Sequence, residues 1–100
     1  MILLKAFDFF GREITLTLER FEHISEAHPI VEGKIEEIEK TIQEPEIVIE
    51  SKLDSKVMLY YKKTKEGFLT IVIKTLNGKG FIVTAYVSAK IKAGTIIWKK

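Results

Sequence analysis

Residues 68–87 read FLTIVIKTLNGKGFIVTAYV, two β-branched and aromatic runs joined across Asn77-Gly78. Asn-Gly between such runs is the signature of a two-residue hairpin, because both turn positions require a positive φ that these residues tolerate. Two adjacent antiparallel strands are therefore predicted here. Alternation along the second puts Phe81, Val83, Ala85 and Val87 on one face, read as core. Ile82, Thr84, Tyr86 and Ser88 take the other, which becomes polar towards the strand's end.

Further strands are predicted on both sides. EIVIE and VMLYYKK precede the hairpin, with a turn at Lys65-Glu66-Gly67, and TIIWK follows it after an irregular link. Near the start, ILLKAFDF and REITLTL are joined by Phe10-Gly11 and read as another hairpin. Between the hairpins the spacing changes to the helical period. Thr17 is a predicted N-cap, and Leu18, Phe21, Ile24 and Ala27 or His28 mark one helix face until Pro29 ends it. A second helix is predicted from about Val31 to Gln43, with Ile35, Ile38 and Ile42 inward and Pro45 forbidding continuation. The expected fold is a single α+β domain over residues 1–100. In it an N-terminal β-hairpin and two helices pack on one face of a twisted antiparallel sheet of about four to five strands.

Composition narrows the function classes. The chain has 100 residues, 46% hydrophobic and 30% charged, with no cysteine, so disulfides and thiolate chemistry are excluded. Lys5 and Asp8 interrupt the apolar start, which predicts neither a signal peptide nor a membrane span, and the protein is expected to be cytoplasmic. The net charge of +2 hides an asymmetry. Residues 1–50 carry five cations against twelve carboxylates, a net −7, whereas residues 51–100 carry eleven lysines against Asp54 and Glu66, a net +9. Such a division suits one surface to a polyanion, although lysines guarding a sheet edge give the same count.

Few residues offer chemistry. His23 and His28 are five apart, roughly 140° around a helix, so one helix does not aim both at one atom unless it ends before His28. Each also reads simply: His23 as hydrogen-bonded to backbone, His28 as a residue favoured at a helix C-terminus. No metal-binding spacing, serine elbow or phosphate-cradling glycine loop is present, so neither metal nor cofactor is expected. RNA cleavage needs less, because the substrate's 2′-hydroxyl is the nucleophile. A base, a cation to stabilise the phosphorane and an acid for the leaving oxygen suffice. Histidine, lysine and tyrosine supply these, while Tyr60, Tyr61, Tyr86, Phe68 and Trp98 are candidate stacking faces.

The order ITLTLERFEHISEAHP, an acidic helix ending in proline, LYYKK, FLTIVIKT and FIVTAYVSAKIKAGTIIW resembles the phage-associated barnase–EndoU–colicin–RelE-like group of small nucleases. The likeness runs from Ile14 to Trp98. It implies a barnase- or RelE-like fold and a metal-independent ribonuclease site on the open sheet face. Carried over, it implies catalytic roles for His23, His28, Lys62, Thr84, Tyr86 and Lys90; the candidate RNA contacts are Tyr61, Lys63, Lys92 and Trp98. One histidine, His28 in preference to His23, is expected to serve as general base or acid, with Lys62 and Lys90 facing the phosphorane, Thr84 bonding a phosphate oxygen, and Tyr86 donating a proton or stacking. RNA is the implied substrate and an acidic antitoxin or immunity protein the implied partner, with no membrane. The chain departs from the group in having Ile30 after His28-Pro29, Phe21 where tryptophan is usual, and no arginine after Arg20. Two other classes fit the same fold: a non-catalytic RNA- or protein-binding module, and a structural accessory domain of a phage particle.

Overall fold

In the computed structural model, which describes residues 1–100, strand β1 (Ile2–Phe7) turns back into β2 (Glu13–Thr17), and the chain passes directly into helix α1 (Leu18–Ala27). Thr17 caps that helix as its residue type dictates, its Oγ1 accepting from the Arg20 N–H at 3.1 Å. Pro29 opens a 3-10 turn (Pro29–Val31), and α2 spans Ile35–Gln43. This start is later than the predicted Val31, because Gly33 takes φ +79° and breaks the helical path. Strands β3 (Ile47–Ser51), β4 (Val57–Thr64), β5 (Gly67–Leu76), β6 (Lys79–Ser88) and β7 (Gly94–Lys99) follow. No helix is long and apolar enough to cross a membrane.

All seven strands form one mixed sheet in the order β1-β2-β6-β5-β4-β3-β7. This overturns the expectation of a four- to five-stranded antiparallel sheet bearing a separate N-terminal hairpin. The hairpin is part of the sheet, joined by a parallel ladder in which Glu13, Ile14 and Thr15 lie beside Lys79, Gly80 and Phe81. Local alternation is silent about such a pairing between distant segments. The β5–β6 turn follows its residues closely: Asn77 and Gly78 have φ +52° and +78°, as a two-residue primed turn requires.

The predicted faces of β6 are corrected by a bulge. Ile82 pairs with Ile73 and Thr84 with Val72, which leaves Val83 as an extra residue without a partner. An extra residue reverses the alternation beyond it. Ile82, Ala85 and Val87 therefore pack in the main core, while Phe81, the supposed core residue, shares the opposite face with Thr84, Tyr86 and Ser88. A second register shift, between Val48 and Ile49, sets Trp98 opposite Val48 and Ile96 opposite Ile49.

The main core unites sixteen buried residues, including Ile14, Leu16, Ile71 and Ile73 from the sheet and Ile24, Ile38 and Ile42 from the helices. The second sheet face buries only Ile49, Leu59 and Tyr61, with Phe68, Val72 and Ile91 around them and no helical residue. Hydrophobic stabilisation scales with apolar area removed from water, so the helix side carries most of it. The other face is the open face of the sheet, with no helix packed on it.

Candidate functional site

Proline decides where His28 goes. The helix ends at Ala27, and His28 leaves it at φ −136°, ψ 77° with its N–H still bonded to the Ile24 carbonyl at 2.7 Å. Both α1 and the 3-10 turn lie against β6, and the half-buried His28 ring comes to 5.6 Å from the Tyr86 ring, centroid to centroid. His23, five residues earlier, is exposed and makes no hydrogen bond or ion pair. The structure thus brings one histidine, not two, to the sheet.

Across β6, β5 and β4, Tyr86, Thr70 and Tyr61 stand in one row on the open face. The segment between β6 and β7 crosses above them as a strap. Its Lys92 N–H donates to the Tyr61 hydroxyl at 3.0 Å, Ile91 packs into the small cluster below, and Lys92 Nζ stands 6.0 Å from the centre of the Tyr86 ring. At the strap's start, the Ser88 hydroxyl donates to the Lys90 carbonyl and accepts from the Lys90 N–H, which leaves the exposed Lys90 side chain free. Lys63 adds a cation on the same face, its Nζ 4.8 Å from the centre of the Phe68 ring. None of Lys63, Lys90 and Lys92 is ion-paired to a carboxylate. Free ammonium groups beside aromatic rings and an imidazole make a surface suited to an anion with flat substituents.

Two further candidate residues lie on the other side of the sheet. Lys62 pairs with Leu69 and shares the helix side with Tyr60, since successive residues of β4 alternate, so it does not approach Tyr86. Trp98 also lies on the helix side, its ring 4.6 Å from that of Phe9. Tyr86 does lie at the site, but its hydroxyl is shielded from solvent and has no hydrogen-bond partner. As folded it meets the site through its ring. Thr84 lies on the open face two residues before Tyr86, opposite Val72.

The sequence reading missed a polar cluster on the other side of the sheet. In the β1–β2 loop, Asp8 Oδ1 accepts from the backbone N–H groups of Phe10 (2.9 Å) and Arg12 (2.8 Å). Its Oδ2 accepts from Arg12 Nε at 3.0 Å and from the Tyr60 hydroxyl, which in turn accepts from Arg12 Nη2 at 2.9 Å. The local half was legible, because an aspartate opening a tight turn commonly bonds to the backbone just ahead. Nothing local announces Tyr60.

All three tyrosines of the chain are harder to ionise than usual. Burial is the main cause in each. For Tyr60 the hydrogen bond to Asp8 adds to it, and for Tyr61 the Lys92 N–H partly offsets it. A phenol whose folded pKa exceeds its unfolded value contributes stability that is complete below the unfolded value and lost as pH rises through the folded one. Folding stability is thus expected to fall as pH climbs above about 10. Near-ultraviolet titration should show phenolate forming at higher pH in the native protein than in urea. A native phenol ionising at the unfolded pH would contradict this burial.

Comparison with protein-family models, curated proteins and solved structures finds no match to this chain.

Proposed function

We propose that the protein is a metal-independent RNA endonuclease acting on the open sheet face, with a strand of RNA laid across His28, Tyr86 and the Lys90–Lys92 strap. The observation that carries the reading is that the His28 ring and the Lys92 ammonium both approach the Tyr86 ring at one end of that face. His28 takes the proton of a 2′-hydroxyl as its oxygen attacks the adjacent phosphorus. The P–O5′ bond breaks, leaving a 2′,3′-cyclic phosphate. Lys92 stabilises the crowded phosphorane and gives the departing 5′-oxygen its proton, Lys90 and Thr84 hold non-bridging oxygens, and the Tyr86 ring stacks on a base. The enclosed hydroxyl removes Tyr86 from the proton-donor role, and its distance from this face removes Lys62. The order of motifs from Ile14 to Trp98, similar to that of the barnase–EndoU–colicin–RelE-like nucleases, supports the reading, and with it an acidic inhibitory protein as partner; the barnase- or RelE-like sheet of four to five strands that it also implied is replaced by the seven-stranded mixed sheet.

Incubation with mixed single-stranded RNA in excess chelator is expected to yield new 2′,3′-cyclic ends. A second reading, a non-catalytic RNA-binding module, is favoured by the Tyr86 hydroxyl having no access to solvent. It predicts RNA recovered intact after binding that weakens with salt. Cyclic ends decide for the nuclease, and intact but bound RNA decides for the module. RNA neither bound nor cut rejects both.

A further inference from the structure

The open face does not stop at His28. At its far end Phe7, Leu76 and Phe81 are 62%, 56% and 40% exposed, an unusual grouping of large apolar side chains on one sheet surface. The strand register puts Phe81 between Thr15 and Lys74, and in the next row Phe7, Glu13, Lys79 and Leu76 follow one another across β1, β2, β6 and β5, so Leu76 neighbours Phe81 and Phe7 lies two strands away. The Val83 bulge is what turns Phe81 to this side. Without the extra residue, Phe81 and Tyr86 would face opposite ways. Three cations flank the patch. Lys5 is paired with Glu13 and Lys74 with Asp54, whereas Lys79 has no carboxylate partner. The hollow beside Phe81, about 250 Å³ and lined by Thr15, Lys79 and Gly80 among others, is smaller than the usual small-molecule pocket.

We propose that Phe81 is a second stacking platform that binds a base of the same single-stranded RNA a short way along the strand from the scissile bond. The proposal rests on the RNA reading above and extends it. Tyr86 and Phe81 pair with Thr70 and Lys74, four residues apart on β5, so the two rings are separated by about 13 Å along one continuous face. Thr84 and Val72 lie between them and no helix crosses. Sheet aromatics spaced along a strand are a recurrent way of holding unpaired bases, and stacking accepts any base because each has a π-face. The free Lys79 ammonium lies where the backbone of such a strand would pass. RNA is favoured over a protein occupant by this continuity with the cationic end of the face.

The test uses 2′-O-methyl uridylates, which bind but lack the attacking hydroxyl, as a dinucleotide, too short to reach both rings, and at a length of about twelve nucleotides. Phe81→Ala is expected to weaken the longer probe about tenfold and to leave the shorter within about twofold, with Phe81→Tyr restoring the longer one's affinity. Lys79→Gln, a change at an exposed position, should weaken the longer probe in the same selective way. If both probes bind wild type and neither variant alters the longer one's advantage, the platform is rejected while the RNA reading stands. If neither probe binds, both fall. A change of oligomeric state in Phe81→Ala, with RNA binding unaltered, would identify the patch as a protein interface and overturn the proposal.

Discussion

Replacing Asp8 with alanine is expected to lower folding stability by about 3–5 kcal/mol, as breaking a buried ion pair from one side generally does. The Asp8 side chain is fully enclosed and accepts four hydrogen bonds, from two backbone N–H groups, the Arg12 guanidinium and the Tyr60 hydroxyl. Alanine leaves all four donors without that acceptor and strands a guanidinium whose side chain is only 21% exposed. Each orphaned donor carries its own desolvation cost. Because small domains are stable by about 5–15 kcal/mol in total, the loss takes a large share. Urea unfolding should show a lower midpoint with an unchanged slope. Asp8→Asn keeps a carbonyl acceptor but loses the charge, so it should fall between wild type and alanine. An alanine variant as stable as wild type would mean that the loop is held by Phe9 and Trp98 instead.

The second large effect concerns activity. His28→Ala is expected to reduce cleavage by about a hundred- to ten-thousandfold, the usual contribution of a positioned acid–base group, with little change in stability because the ring is only half-buried. Tyr86→Phe should separate the ring from the hydroxyl. The oxygen is enclosed and unbonded, so its removal should leave cleavage intact and the fold as stable or more so. Rates of cyclic-end formation on a defined single-stranded RNA measure both. Full activity in His28→Ala, or its loss in Tyr86→Phe, would reverse the assignment.

What could be read from the chain was what neighbouring residues decide. Asn77-Gly78 marks a turn because of its own φ preferences, Thr17 caps because its hydroxyl reaches the Arg20 N–H, and Pro29 ends α1 by its effect on His28. The errors lie where a distant partner decides. Val83 is a bulge only by virtue of how β5 pairs with β6, and that one residue exchanged the faces assigned to Phe81 and its neighbours. Ile97 has the same effect in β7, placing Trp98 with Phe9 and not with the bases it was expected to meet. Tyr60 lies 52 residues from the aspartate it bonds. For the site, residue types alone proposed a histidine, a phenol and lysines. Which of them share a surface depended on registers that alternation leaves open, and Lys62 beside Tyr61 shows how one step along a strand removes a cation from it.

The parallel ladder between β2 and β6 has a kinetic consequence. Its two sides are 66 residues apart, as in Glu13 and Lys79. Translation at 5–20 residues per second therefore leaves roughly 3–13 s between the synthesis of one side and that of the other. Through that interval β1 and β2 have only the two helices to pack against; a hairpin without further strands has little stability in water, and the unpaired edge of β2 is accessible to any chaperone waiting at the ribosome.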